Sequence, residues 1–252
     1  EGRIDMARKD KNTASAVPLS VQKETLADSL SFAGSEAYKQ LRTNVMFSLP
    51  ADKKSHVIAV TSAVAGDGKS TTAINLAYSL AQLKKKVLII EADMRLPYMS
   101  KRLELQNAPG LSELLAGQKE ANEILQTVNS EARFYAITAG SLPPNPAELL
   151  TSSRMKRYLN FFENTFDYII LDLPPVNLVT DAVSLAKQVD GYILVVRQDK
   201  TNLRSIKEAV EKLKIVDGKV LGFVMNDVKR KKGYGYKYHD DYNGYYSGQQ
   251  NL

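Results

Sequence analysis

The stretch Val60-Thr61-Ser62-Ala63-Val64-Ala65-Gly66-Asp67-Gly68-Lys69-Ser70-Thr71 constrains the fold more than any other part of the chain. A β-branched run enters a loop of small residues, and Lys-Ser-Thr then opens an apolar helix. Glycines let successive backbone N–H groups turn inward onto an anion, and the helix N-terminus adds partial positive charge. Residues Ala65, Gly66, Asp67, Gly68, Lys69, Ser70 and Thr71 are therefore read as a phosphate-binding loop. Lys69 is expected to reach the β/γ-phosphates of ATP, and the Ser70 hydroxyl to take one Mg²⁺ position. Ala63 stands where the strict G-x-x-x-x-G-K-[ST] pattern has its first glycine.

From residue 56 onward, strand-like and helix-like stretches alternate. The pattern predicts strands at 56–61, 86–91, 133–138, 167–172, 190–196 and 219–225. Helices are expected at 69–83, 111–116, 119–127, 147–164, 180–188 and 202–214, preceded by one over 35–48. Strands that are apolar on both faces and separated by helices predict an α/β fold of the P-loop NTPase kind. Its sheet would be mostly parallel, with helices on both faces. Ligands of such sheets bind beyond the carboxyl ends of the strands. In the helix over 35–48, Tyr38, Leu41 and Val45 share one face, while Glu36, Lys39 and Arg42 line a flank away from it.

With 252 residues and 44% apolar composition, one well-buried domain is expected. Residues 31–228 are assigned to it. Residues 1–30 read as a flexible arm, in which Glu1 to Asp5 resembles a protease-site remnant and Met6 lies near the natural start. The chain has no cysteine, which removes thiol catalysis and fits a reducing compartment. No apolar run approaches the roughly 20 residues that span a bilayer, and no secretory signal is visible. A cytoplasmic protein that reaches a membrane only through a partner is expected. The net charge is +6, of which residues 229–252 carry +3 and residues 1–12 carry +1. A body of only +2 is a poor footprint for nucleic acid, and none is expected as a partner. The last nineteen residues hold six of the thirteen tyrosines, Tyr234, Tyr236, Tyr238, Tyr242, Tyr245 and Tyr246. Residues 229–252 are accordingly read as a basic, disordered, tyrosine-rich tail.

Three acids are expected at strand ends around the loop. Glu91 and Asp93 close one apolar run, and Asp172 closes Tyr168-Ile169-Ile170-Leu171. If those strands run parallel to the one before the loop, all three converge on the γ-phosphate. Phosphoryl transfer needs Mg²⁺ held by a hydroxyl and an acid, and a group that orients the attacking oxygen. Ser70 with Asp172 suits the metal. Asp93 suits proton acceptance from a phenol whose ordinary pKa is about 10, with Glu91 in support and Asp93 also near the metal. The signatures H-R-D and D-F-G are absent.

In these residues the chain resembles the bacterial tyrosine kinases of capsule and exopolysaccharide biosynthesis, in their free-standing Gram-positive form. The resemblance runs from about Ser35 to the C-terminus. It rests on Ala65-Gly66-Asp67-Gly68-Lys69-Ser70, on Glu91-x-Asp93-x-Arg95 where the family has Asp-x-Asp-x-Arg, and on Asp172 with Pro175. Glu36, Lys39 and Arg42 stand for a Glu-x-x-Arg-x-x-Arg motif that the family uses in subunit contacts.

The resemblance implies ATP-dependent autophosphorylation of the tail tyrosines in trans, within a ring of subunits, regulating polysaccharide synthesis and export. It also implies a transmembrane activator or polysaccharide co-polymerase, a cognate phosphotyrosine phosphatase, and an adenine contact at Asn226. Full phosphorylation of the tail would add roughly −9 to −12 charge and repel it from the acids, giving a self-limiting reaction. The alternative is an ATPase switch like the septum-placing and chromosome-partitioning proteins, with no protein acceptor.

Overall fold

The computed structural model describes residues 30–229. The arm over 1–30, apart from its last residue, and the six tail tyrosines lie outside the described residues.

The sheet has seven strands: β1 (His56–Ser62), β2 (Val87–Glu91), β3 (Gln126–Asn129), β4 (Phe134–Ile137), β5 (Tyr168–Asp172), β6 (Gly191–Arg197) and β7 (Val220–Asn226). Their order is β3-β4-β2-β5-β1-β6-β7. Every pairing is parallel except β3 with β4. The expected mostly parallel α/β sheet is therefore found, with one added antiparallel edge.

Alternation along the central strands divides the core. Val57 and Ala59 of β1 face a layer that includes Leu88 and Ile90 of β2, and Ile169 and Leu171 of β5. Ile58 and Val60 face the opposite layer, with Ile89 and Ile170. Because both layers are dry, these strands read as unbroken apolar runs, as buried parallel strands must. Helices α1 (Phe32–Ser48), α2 (Lys69–Ala81) and α3 (Met99–Leu103) cover one face. The other carries α4 (Leu111–Ala116), α5 (Ala121–Ile124), α6 (Pro146–Thr151), α7 (Ser153–Glu163), α8 (Asp181–Ser184) and α9 (Leu203–Ile215).

Three expected helices come out differently. The one over 119–127 stops at Ile124, and Gln126–Asn129 forms β3 instead. Thr127 and Val128 are β-branched, and Val128 buries itself against the α2 layer. The one over 147–164 breaks at Ser152, whose backbone is extended (φ −64°, ψ 154°). The Ser152 hydroxyl accepts from the Met155 N–H at 3.2 Å, so a serine read as helix interior caps a new helix. The one over 180–188 is α8 followed by a 3₁₀ turn at Ala186–Gln188.

Helix α1 packs on α2 through buried Val45, with Leu41 half-buried in the same layer. The Ser31 hydroxyl caps it by accepting from Gly34 N–H at 3.3 Å. Arg42 is not on a free flank. Its guanidinium donates to the Ser79 carbonyl of α2 at 2.6 Å.

Candidate active site

The loop between β1 and α2 takes the shape its glycines permit. Gly66 and Gly68 have φ of 78° and 93°, in the left-handed region where a side chain is strained. At Gly68 an added Cβ would also fall 2.0 Å from the Asn226 amide nitrogen. That amide donates to the Asp67 carbonyl at 3.0 Å, so the end of β7 braces the loop from behind. A second brace comes from beyond β6, where Lys200 donates to the Ala65 carbonyl at 2.9 Å. Asp67 is fully buried between them. Burial pushes its pKa up, with Thr201 and Lys200 pulling against it.

Helix α2 opens at Lys69, followed by Ser70 and Thr71 in its first turn. The Lys69 ammonium lies 2.7 Å from Asp93, 3.6 Å from Asp172 and 3.3 Å from the Ser70 hydroxyl. Burial alone would lower the Lys69 pKa, but the two carboxylates outweigh it and hold the ammonium charged. Asp172 is 1% exposed, and burial pushes its pKa up against the pull of Lys69 and Ser70. Its Oδ1 accepts no hydrogen bond. A buried acid oxygen left in this state, beside a serine hydroxyl, suits a hard divalent cation.

Glu91 stands apart from this group. Strand β2 ends there, and both Ala92 N–H and Asp93 N–H turn to the Asp172 carbonyl at 2.9 and 3.0 Å. The chain has left the strand, so period-two spacing no longer puts Glu91 and Asp93 side by side. The Glu91 Oε1 accepts from Tyr98 N–H and, at 2.6 Å, from Met99 N–H. Its Oε2 accepts from Ala139 N–H at 3.2 Å. Glu91 therefore ties the start of α3 and the end of β4 to β2, and does not join Asp93 and Asp172 at Lys69. Burial pushes its pKa up, and the backbone N–H groups oppose this.

Beside Lys69 and Asp93 opens a cleft of about 340 Å³. The phosphate loop and the start of α2, from Ala65 to Thr71, form one side of it, and apolar side chains on two further loops form the rest: Leu96 and Tyr98 after β2, and Pro175, Leu178 and Val179 after β5. Apart from Pro175, which belongs to the Asp172 motif, these wall residues carry no sequence signal. The parallel pairing of β2 with β5 brings the two loops together. A second groove, of about 500 Å³, runs between α1 and β7 past Asn226.

Residues 55–222 match a family model described as an AAA domain. The chain is 38% identical over 218 residues to tyrosine-protein kinase YwqD of Bacillus subtilis (strain 168), covering 86% of this chain and 88% of that one. The chain belongs to the bacterial tyrosine-protein kinases. Among solved structures, the kinase domain of the Escherichia coli tyrosine kinase ETK matches with a TM-score of 0.77 and 31% identity, over 88% of this chain and 84% of that one. The chimerical protein CapA2B2 matches with a TM-score of 0.73 and 34% identity, over 78% and 85%.

The two departures of this tyrosine kinase from the motifs of its family have different structural outcomes. The Glu91 carboxylate accepts from the backbone amides of Tyr98, Met99 and Ala139. Lys39 pairs within its own helix, 2.8 Å from Glu36, and both side chains are about half exposed. No helix among the described residues is long and apolar enough to cross a membrane.

Proposed function

We propose that this chain is an ATP-dependent tyrosine autokinase whose acceptors are the tail hydroxyls of Tyr234, Tyr236, Tyr238, Tyr242, Tyr245 and Tyr246. The observation that carries the reading is the position of Lys69 between Asp93 and Asp172, at the mouth of the phosphate loop. A triphosphate entering the loop offers Lys69 stronger partners than Asp93. Once the ammonium turns to the β/γ-phosphates, the Asp93 carboxylate is free to face an incoming phenol.

In the transfer, the phenol oxygen forms a bond to the γ-phosphorus as the bond from that phosphorus to the β-phosphate oxygen breaks. The phenol proton passes to Asp93, and ADP leaves with the bonding pair. Ser70 and Asp172 would hold Mg²⁺, which supplies charge neutralisation on the phosphates. Gly66, Gly68 and the first N–H groups of α2 bind the remaining phosphate oxygens. The adenine is assigned to the groove between α1 and β7, next to Asn226. Glu91 is given a positioning role, holding the segment from Asp93 to Tyr98.

Transfer is proposed to occur in trans within a ring, with exposed Glu36 and Lys39 meeting the neighbouring subunit. Arg42 keeps its helix in place for that contact. We assign the role of an activating partner to a membrane protein of capsular or exopolysaccharide synthesis, as the resemblance to the family implies. A phosphatase would reset the tail, and the accumulated phosphate charge would drive it off the acids.

The test is incubation with labelled ATP and Mg²⁺, followed by detection of phosphotyrosine. Phosphate should appear on the intact chain, and neither on Lys69→Met nor on a chain ending at residue 228. Mixing those two variants should restore labelling of the Lys69→Met tail if transfer is in trans. Hydrolysis without phosphotyrosine would point instead to an ATPase switch.

A further inference from the structure

The cleft beside Asp93 is bounded by the phosphate loop and, away from it, by two apolar walls on loops that are far apart in sequence. The first wall, Leu96 and Tyr98, follows β2, and the second, Leu178 and Val179, follows β5. Leu96 is 73% exposed and Leu178 is 61% exposed, although both adjoin the buried charges of the site. Large apolar side chains in that position bind no phosphate and no metal.

The loop after β5 is anchored at its near end. Thr61 Oγ1 donates to the Pro174 carbonyl at 2.7 Å, and Val176 N–H donates to the Ser62 carbonyl at 2.9 Å. Its far end is held by a different device. Asp181, the first residue of α8, is fully buried, and the Arg95 guanidinium grips it with Nε at 3.1 Å from Oδ2 and Nη2 at 3.3 Å from Oδ1. Arg95 lies between Asp93 and Leu96, so these two bonds couple the proton acceptor and the first wall to the second wall. A planar fork fixes both distance and angle, which a lysine does not.

Resting on the tyrosine-kinase reading, we propose that the Arg95–Asp181 bridge sets the width of this cleft, and that Leu96 and Leu178 make it selective for a phenol. A tyrosine ring can lie between the two leucines and present its hydroxyl to Asp93 while its own backbone stays outside. A serine hydroxyl sits too close to its backbone to make that reach, and it has no ring to bury. Leu96 and Leu178 are then specificity determinants, and Arg95 and Asp181 are positioning residues that touch neither the phosphate nor the acceptor.

The experiment uses the full chain, with a synthetic peptide of residues 229–252 added as acceptor. It measures the peptide KM, the kcat and, separately, the ADP Kd. Leu96→Ser combined with Leu178→Ser alters only exposed side chains and should raise the peptide KM at least about tenfold. Arg95→Gln should raise it about five- to twentyfold, with Arg95→Lys in between, because a point charge recovers the pairing without the fork. The ADP Kd should stay within about threefold in all three variants, a pattern that general unfolding would not give. A peptide with every tyrosine replaced by serine should be labelled less than one-tenth as fast.

Unchanged peptide KM in the variants, or efficient labelling of the serine peptide, would overturn this inference and leave the kinase standing. Absence of phosphotyrosine from the unaltered chain would overturn both.

Discussion

Lys69 and Asp93 form a 2.7 Å ion pair with their side chains only 12% and 5% exposed, and Lys69 also lies 3.6 Å from Asp172. One cation thus holds two acids together in a largely dry site. Such a cluster is more sensitive to loss of the cation than to loss of either anion, because two buried negative charges would then face each other.

Lys69→Met is expected to abolish phosphotyrosine formation, with a loss of at least about a hundredfold. It should also change stability in a pH-dependent way. Burial already raises the Asp172 pKa, and without the ammonium it rises further, so the variant should be relatively less destabilised in acid than at neutral pH. Urea titrations of both proteins at pH 5 and pH 8 test this.

Asp93→Asn keeps shape and removes the proton acceptor. The turnover number should fall about 100- to 10,000-fold with little change in nucleotide affinity. Rapid-quench measurement of phosphotyrosine, alongside titration with a fluorescent nucleotide, separates the two quantities. An undiminished turnover number would remove Asp93 from the proposed role.

Glu91→Ala leaves three backbone N–H groups without their acceptor, those of Tyr98, Met99 and Ala139. A cost of about 1–3 kcal/mol is expected, and hydrogen exchange at those three amides should accelerate together. Glu91→Gln retains an oxygen for some of them and should cost less. Equal protection of the three amides in Glu91→Ala and the unaltered protein would show that Glu91 does not tie these segments.

Arg42→Ala breaks the bond from α1 to the Ser79 carbonyl. We expect a loss of about 1–2 kcal/mol, expressed mainly as faster exchange in α1 rather than in the sheet. Exchange mapped along α1 and β1 in the same experiment checks this, since β1 should be unaffected.

Glu113 supplies an acid limb to the stability curve. Its carboxylate accepts from Gly110 N–H at 2.7 Å and from Ser141 N–H at 3.0 Å. Partial burial raises its pKa, but the bonds to Ser141 and Gly110 more than reverse this and hold it at about 2. A carboxyl depressed on folding stabilises the protein at pH values above its unfolded pKa, and that contribution is lost as pH falls through the folded value. Glu113→Gln should therefore flatten the stability profile between about pH 4.5 and pH 2. Thermal melting across that range measures it.

The phosphate loop, the parallel sheet and the order of the central elements were legible in the sequence because their signals are local. Gly66, Gly68, Lys69 and Ser70 are adjacent, and a strand buried on both faces is apolar throughout whatever it packs against. Short elements were not legible in this way. Four residues of β3 carry too little periodicity to contradict a helix, and the break at Ser152 depends on how α6 and α7 each meet the core.

Sequence alone also placed Asp93 and Asp172 at the phosphate site, since strand ends in a parallel sheet share one edge, but not their ion pairs with Lys69. It did not distinguish Glu91 from them. That required knowing where β2 ends, because side-chain direction alternates only while the backbone stays extended. The bond from Arg42 to Ser79, the bracing of the loop by Asn226 and Lys200, and the grip of Arg95 on Asp181 were settled by tertiary structure alone. Each joins residues dozens of positions apart through one or two hydrogen bonds, and no local pattern encodes a distance that only the packed chain creates.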